Sequence, residues 1–210
     1  MTETSSRRDI IFREAAGLFR EKGYSGSSLR ALADRAGVKG ASIYHHFSSK
    51  QEILFTIMEY TMNNLIQNVQ QVIAGESDPL EQLRKAVAFH IEYHTIDLDE
   101  TYVADAELRS LEEENYKIIV KMRDDYEGVF RQILQAGQKT GLIHVDDVTI
   151  ATRALMQMCT GTSYWFNPEG RLSVAQVADR YIDLIFWGLC GKTGQERKQS
   201  SCGAQSKKEE

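Results

Sequence analysis

The stretch over residues 27–47, SSLRALADRAGVKGASIYHHF, constrains the fold of this chain more than any other. Its first half, 28–36, places Leu29, Leu32, Ala33 and Ala36 at helical intervals, so that one face packs inward. Ser27 or Ser28 stands where a side-chain oxygen caps the exposed N–H groups of a helix start. Gly37 follows where the chain must turn through a left-handed conformation, which glycine adopts without steric cost. The second half, 39–46, reads as a further short helix that buries Val38, Ile43 and Phe47 and exposes Lys39, Ala41, Ser42, Tyr44 and His45. A basic, hydroxyl-bearing and partly small face suits a helix that lies against phosphates and base edges. The pattern is that of a helix–turn–helix.

An αα-hairpin with a glycine turn also occurs in proteins that never touch nucleic acid, so the flanking segments carry weight. Residues 7–22 are amphipathic, with Ile11, Ala15, Leu18 and Phe19 on one face and a stop at Gly23. After the motif, Ser48, with Gln51 three residues on and Glu52 beside it, forms a capping-box pattern ahead of a long helix. Three helices closing one small core are the usual support of such a motif. Charge divides the chain in the same way. Residues 1–50 hold 9 Lys and Arg against 5 Asp and Glu, whereas the rest holds 16 against 25. A basic head on an acidic body directs a polyanion to the head.

The string IFREAAGLFREKGYSGSSLRALADRAGVKGASIYHHFSSKQEIL resembles the N-terminal domain of the TetR family of bacterial transcriptional regulators. The resemblance is carried by Ala15, Phe19, Gly23, Tyr24, Leu32, Ala36, Gly37, Val38, Ile43, Tyr44, Phe47, Lys50 and Leu54. Many members carry a basic residue where this chain has Gly40; its Lys39 comes one place earlier. Within the reading head, Lys39 and Ser42 are candidates for base-edge contact, and Ala41 for contact with a thymine methyl. Ser28, Tyr44, His45 and Lys50 are candidates for holding phosphates. Lys50 also stands beside the N-terminus of the following helix, where backbone N–H groups attract a phosphate.

Two prolines, few strand-like alternations and long helical periods in 210 residues indicate an all-α protein. The expected plan is a three-helix DNA-binding domain (5–65), a larger helical ligand-binding and dimerisation domain (66–191) and a disordered tail (192–210). Beyond the head, helices are expected at 48–74, 79–95, 101–111, 113–140, 146–166 and 173–189. No apolar run approaches a membrane span, and the first residues lack a signal-peptide pattern. Cys159, Cys190 and Cys202 are odd in number, widely spaced and outside any CxxC arrangement. They read as reduced thiols of a cytoplasmic protein. Cys159 and Cys190 are expected to pack as small apolar residues.

The penultimate expected helix carries one apolar side and the last is apolar around much of its circumference, which requires cover on more than one side. The family plan, in which these helices pair two subunits, makes Leu155, Met158, Thr162, Tyr181, Ile185, Phe186 and Leu189 the expected homodimer interface. A two-fold dimer pairs its heads with an inverted repeat in double-stranded DNA. For the ligand pocket, His90, Tyr93, His94, Arg109, Tyr126, Phe130, Met156, Tyr164, Trp165 and Phe166 form an adaptable aromatic- and methionine-rich set. His90 and His94 have a spacing suited to a metal, but neither HExxH nor a pair of ExxH motifs accompanies them, so no metal or cofactor is assigned.

The run TSYWFNPEGRLSVAQVADRYIDLIFWGL is similar to the C-terminal ends of TetR-type regulators of lipid, steroid or aromatic-acid breakdown, several of which respond to acyl-CoA thioesters. That resemblance implies a small hydrophobic effector of acyl-CoA type, with Arg84, Lys85, Lys117, Lys121 or Arg123 supplying cations for its phosphates. A ligand-released repressor is the expected function. The alternatives are control of a drug-efflux gene by lipophilic compounds, or a helical adaptor. An all-α enzyme is disfavoured, because no nucleophile–base pairing, phosphate loop or carboxylate–metal pattern stands out.

Overall fold

The computed structural model describes residues 6–96 and 98–189. It contains helices and no strand among these residues. The expected tail (192–210), Cys190 and Cys202 lie outside the described residues.

Helix α1 (Arg7–Gly26) opens with a capping box in which Ser6 accepts from Asp9 N and Asp9 accepts from Ser6 N. Gly23, at φ 71°, breaks its regular geometry, so the regular part ends where the sequence predicts and a final irregular turn follows. Helix α2 (Leu29–Arg35) is capped by Ser28, whose hydroxyl accepts from Ala31 N at 3.1 Å. Gly37, at φ 65°, turns the chain into α3 (Gly40–Tyr44). This helix is shorter than the expected 39–46, because the N–H groups of His46 and Phe47 both fold back on Ile43 O.

Helix α4 (Lys50–Ile73) is capped by Ser49 and not by Ser48. The carboxylate of Glu52 takes both the N–H and the hydroxyl of Ser48, at 2.6 Å each, so Ser48 stands one place outside the cap. Ile11, Ala15, Phe19, Leu32, Ile43, Phe47, Ile53 and Leu54 are fully buried and close the head. Arg35 fastens α2 to α1 by ion pairs to Glu14 and Glu21, both 2.7 Å.

The remainder is a bundle. Helix α5 (Pro79–Ile96) lies among α4, α7 (Glu113–Lys139), α8 (Val148–Thr160) and α10 (Val174–Leu189). The segment expected as one helix at 101–111 is α6 (Leu98–Ala106) followed by a 3-10 turn, Leu108–Ser110. The expected helix at 146–166 divides at Gly161 into α8 and the short α9 (Thr162–Trp165). There the hydroxyls of Thr162 and Ser163 donate to the carbonyls of Cys159 and Thr160 and compete with the helical ladder.

Helix α7 buries Ile119, Tyr126, Phe130, Ile133, Leu134 and Gly137, one stripe at helical spacing. Gly137 is bare because a Cβ would overlap the buried Ile143 side chain folded over it. No helix among the described residues is long and apolar enough to cross a membrane. Gly137→Val is expected to lower stability by about 1–3 kcal/mol through overpacking, a fall of several degrees in the thermal midpoint. Ile143→Ala in the same chain should recover part of the loss, and additive losses in a double-mutant cycle would contradict this packing account.

Candidate DNA-reading face and ligand cavity

Lys39, the N-cap of α3, is exposed and its side chain makes no capping bond. Ala41, Tyr44 and His45 are exposed beside it, Ser42 is half-buried, and the Tyr44 ring is 61% exposed. A shallow groove of about 440 Å³ between α2 and α3 is bordered by Arg30, Lys39, Gly40 and Tyr44. Arg30 is an exposed cation on this face that the sequence reading omitted. Its place on the outer side of α2, opposite Leu29 and Leu32, was the available signal. Ser28 is exposed but its hydroxyl already serves as the α2 cap.

Lys50 departs from its expected place. Its ammonium donates to Tyr24 O at 2.6 Å and Ser27 O at 2.7 Å and lies 4.0 Å from the centroid of the Tyr24 ring. Burial pulls the amine below its ordinary value. Lys50 therefore fastens the start of α4 to the end of α1, and its charge is directed inside the head.

Behind the head, a cavity of about 420 Å³ lies among α4, α5, α6, α7, α8 and α9. The expected pocket residues His90, His94, Tyr126, Met156 and Tyr164 line it, as does Arg123 from the expected cations. His90 is almost fully buried, with Nδ1 2.9 Å from Tyr126 Oη and Nε2 3.0 Å from Thr160 Oγ1. Both ring nitrogens are occupied by hydroxyls, and burial lowers its pKa well below the ordinary histidine value, so the ring is neutral. Burial likewise lowers His94, whose Nδ1 lies 2.9 Å from His90 O. A carbonyl only accepts, so Nδ1 carries the hydrogen and Nε2 faces the cavity as a lone pair. Asp105 Oδ2 lies 3.8 Å from that nitrogen and has no hydrogen-bond partner. Burial raises the pKa of Asp105, against the pull of His94 and Arg123.

Other expected pocket residues lie elsewhere. Phe130 is core, packed edge-on to His90 and Tyr126. Arg109 belongs to the 3-10 turn, and Trp165 is exposed and stacked on Tyr181. Phe166, half-buried on the core after α9, does not line the cavity. Tyr93 borders a second cleft, of about 470 Å³, between α1, α4 and the body. Lys85, Lys117 and Lys121 pair with Glu76, Glu113/Glu114 and Asp125, and Arg84 covers the Phe186 ring. The sequence reading missed Asp105, Glu127, Arg153, Gln157 and Thr160 in the lining. Single polar residues along amphipathic helices give no periodic signal that separates a cavity wall from solvent.

The expected interface residues also shift. Leu155, Thr162 and Ile185 are buried within the subunit, and Met158, Tyr181, Phe186 and Leu189 are half-buried against its core. The apolar side chains left outside on α8 and α10 are Ile150 (68% exposed), Leu184 (60%) and Trp187 (75%). The sequence reading took the strongest apolar stripe for the interface, whereas that stripe packs on α5 and α7.

Helix α6 joins head and cavity. On one side Asp99 pairs with Arg20 of α1 at 2.7 Å. Just beyond the C-terminus of α6, Glu107 accepts from Tyr24 N at 2.9 Å. On another side Asp105 enters the cavity wall. Gln51 of α4 adds a bridge, donating to Ser110 O at 2.6 Å and accepting from Glu112 N at 3.2 Å.

Two family models match: residues 11–57 fit "Bacterial regulatory proteins, tetR family" and residues 76–189 fit "Tetracyclin repressor-like, C-terminal domain". The transcriptional repressor KstR2 of Rhodococcus jostii (strain RHA1) is 29% identical over 88% of this chain and 92% of its own. The TetR family regulator PfmR of Thermus thermophilus superposes with a TM-score of 0.77 at 34% identity, over 84% of this chain and 96% of that one. AibR, solved with isovaleryl coenzyme A and operator DNA, gives 0.80 at 27% identity, over 86% and 98%. With a helix–turn–helix face, a cavity behind it and these matches, the chain belongs to the TetR family of DNA-binding transcriptional regulators and is not an enzyme.

Proposed function

We propose that this protein is a homodimeric repressor that binds an inverted-repeat operator and is released by an acyl-CoA-type effector in the cavity behind α6. One observation carries the reading: α6 and its C-terminal turn contact the head through Asp99 and Glu107 and the cavity through Asp105. A ligand that favours one position of α6 favours one position of the head, by its differential affinity for the two states. The names of KstR2, a repressor, and of AibR, solved with an acyl-CoA and operator DNA, support the same reading. Arg153, largely exposed beside Glu127, and Arg123 further in supply cations along the cavity for a ligand bearing phosphates. A lining with two arginines and two carboxylates disfavours a purely lipophilic effector.

In the head, we assign base reading to Lys39, Ala41 and Ser42 and phosphate contact to Tyr44, His45 and Arg30, with a domain boundary within α4. Lys50 acts as an internal fastener. Lys39→Gln should flatten the dependence of log affinity on log salt by about one unit. Lys50→Met should leave that slope unchanged and destabilise the head by about 1.5–3 kcal/mol, the range for hydrogen bonds to a charged group. Fluorescence anisotropy on upstream DNA over a salt series, paired with thermal melts, checks both; an equal loss of slope in both variants would return Lys50 to the phosphates.

A second copy is assigned to the outward face of α8 and α10 around Ile150, Leu184 and Trp187. Leu184→Glu with Trp187→Glu should convert the dimer to a monomer in analytical ultracentrifugation and cut operator affinity by more than tenfold. A dimer that survives this pair of charges would move the interface elsewhere. Specific DNA binding that no acyl-CoA relieves would keep the regulator and remove the effector.

A further inference from the structure

The cavity holds a polar arrangement that the protein itself does not complete. With the ring neutral, as its burial favours, donation from His94 Nδ1 to His90 O at 2.9 Å leaves Nε2 as an acceptor. Asp105 Oδ2, the atom opposite at 3.8 Å, is buried and has no hydrogen-bond partner. Two acceptors therefore face each other across a gap too wide for them to share a hydrogen of their own. The other Asp105 oxygen is turned toward Arg123, 3.4 Å from Nη2, and the same nitrogen donates to Ala104 O. These contacts fix the carboxylate on α6 so that Oδ2 points at His94.

A donor placed about 2.9 Å from both atoms would share one hydrogen between them in a three-centre bond. The cavity that holds the gap offers apolar and aromatic side chains, Met62, Leu65, Met156 and Tyr164 among them, beside its polar ones. Arg123 and Arg153 are matched on the same cavity by Asp105 and Glu127, so the lining carries no net charge that calls for a cationic donor and a neutral one fits. We propose that the His94–Asp105 gap is a subsite for a hydroxyl group carried on a hydrophobic ligand. It deepens the effector reading of this cavity, on which it rests, by selecting hydroxylated acyl groups over unsubstituted ones. A hydroxyl bound here touches α6 at Asp105, two residues from the Glu107 contact with the head.

The test compares octanoyl-CoA with 3-hydroxyoctanoyl-CoA and 8-hydroxyoctanoyl-CoA by calorimetry on the full-length protein. Buried acceptors left unpaired penalise the ligand that lacks the hydroxyl, so one hydroxylated thioester should bind at least about tenfold more tightly than octanoyl-CoA. In Asp105→Asn the amide nitrogen puts a donor where the carboxylate put an acceptor, so the preference should vanish while the fold is kept. Equal affinity for all three thioesters in the wild type, or a preference that survives in Asp105→Asn, overturns the subsite. ¹⁵N spectra of the ligand-free protein provide a reading without ligand: His94 Nε2 should be unprotonated at neutral pH, and a protonated Nε2 overturns the proposal. If no thioester binds, the acyl-CoA reading fails, and octanoic acid against its 3- and 8-hydroxy derivatives decides the subsite. Preference for a hydroxylated acid then supports it, and equal or absent binding overturns it.

Discussion

Helix α6 has to satisfy two neighbours at once, and the arrangement of the molecule depends on that constraint. Thr101, Val103 and Ala104 bury it against the core, so it moves as part of a packed layer. Part of that packing is on α1 of the head, and the polar bonds that supplement it there are individually weak. The Arg20–Asp99 pair is partly exposed and of a kind that contributes at most about 1 kcal/mol. The Tyr24 N–H to Glu107 carboxylate bond belongs to the stronger, charge-assisted class, about 1.5–3 kcal/mol. Couplings between regulatory sites are typically about 1–3 kcal/mol. Attachments of this size can be exchanged by a ligand that prefers one setting of α6, whereas the buried core around them cannot.

Tyr24 is where such a change would enter the head. Its N–H is held by Glu107, its carbonyl accepts from Lys50, and its ring lies between the Lys50 ammonium and the edge of Phe19. Phe19 is fully buried in the core that supports the helix–turn–helix. Displacement of Glu107 therefore reaches α1, α2 and α4 through one residue. Gly23, left-handed at φ 71°, lies immediately before it and gives the chain a place to bend.

How much of this was legible in the sequence depends on the length over which each signal repeats. The head was read closely, because Leu29, Leu32, Ile43 and Phe47 alternate with caps and glycines at spacings that few other folds satisfy. Long helices such as α4, α5 and α7 were recovered to within a residue or two for the same reason. Breaks that rest on a hydroxyl competing for a carbonyl, as at Thr162, carry no periodic mark. For the interface, an apolar stripe does not say which neighbour covers it: Leu155 and Ile185 are buried within their own subunit, whereas Trp187 is exposed. A lysine near a helix start looks the same in sequence whether its ammonium meets a phosphate or, as that of Lys50 does here, two carbonyls of its own chain.

The histidine pair shows how burial converts a weak sequence signal into specific chemistry. The spacing of His90 and His94 is compatible with a metal, yet His90 is held on both nitrogens by hydroxyls and is not available to one. What remains is a relay of polarity: Tyr126 and Thr160 fix His90, the His90 carbonyl fixes the tautomer of His94, and His94 then presents a lone pair to the cavity. Each step removes a rotational choice, so the lone pair is aimed before any ligand arrives. A buried, aimed acceptor discriminates between ligands that differ by one hydroxyl far better than an apolar wall can, because the ligand lacking the donor leaves the acceptor desolvated and unpaired.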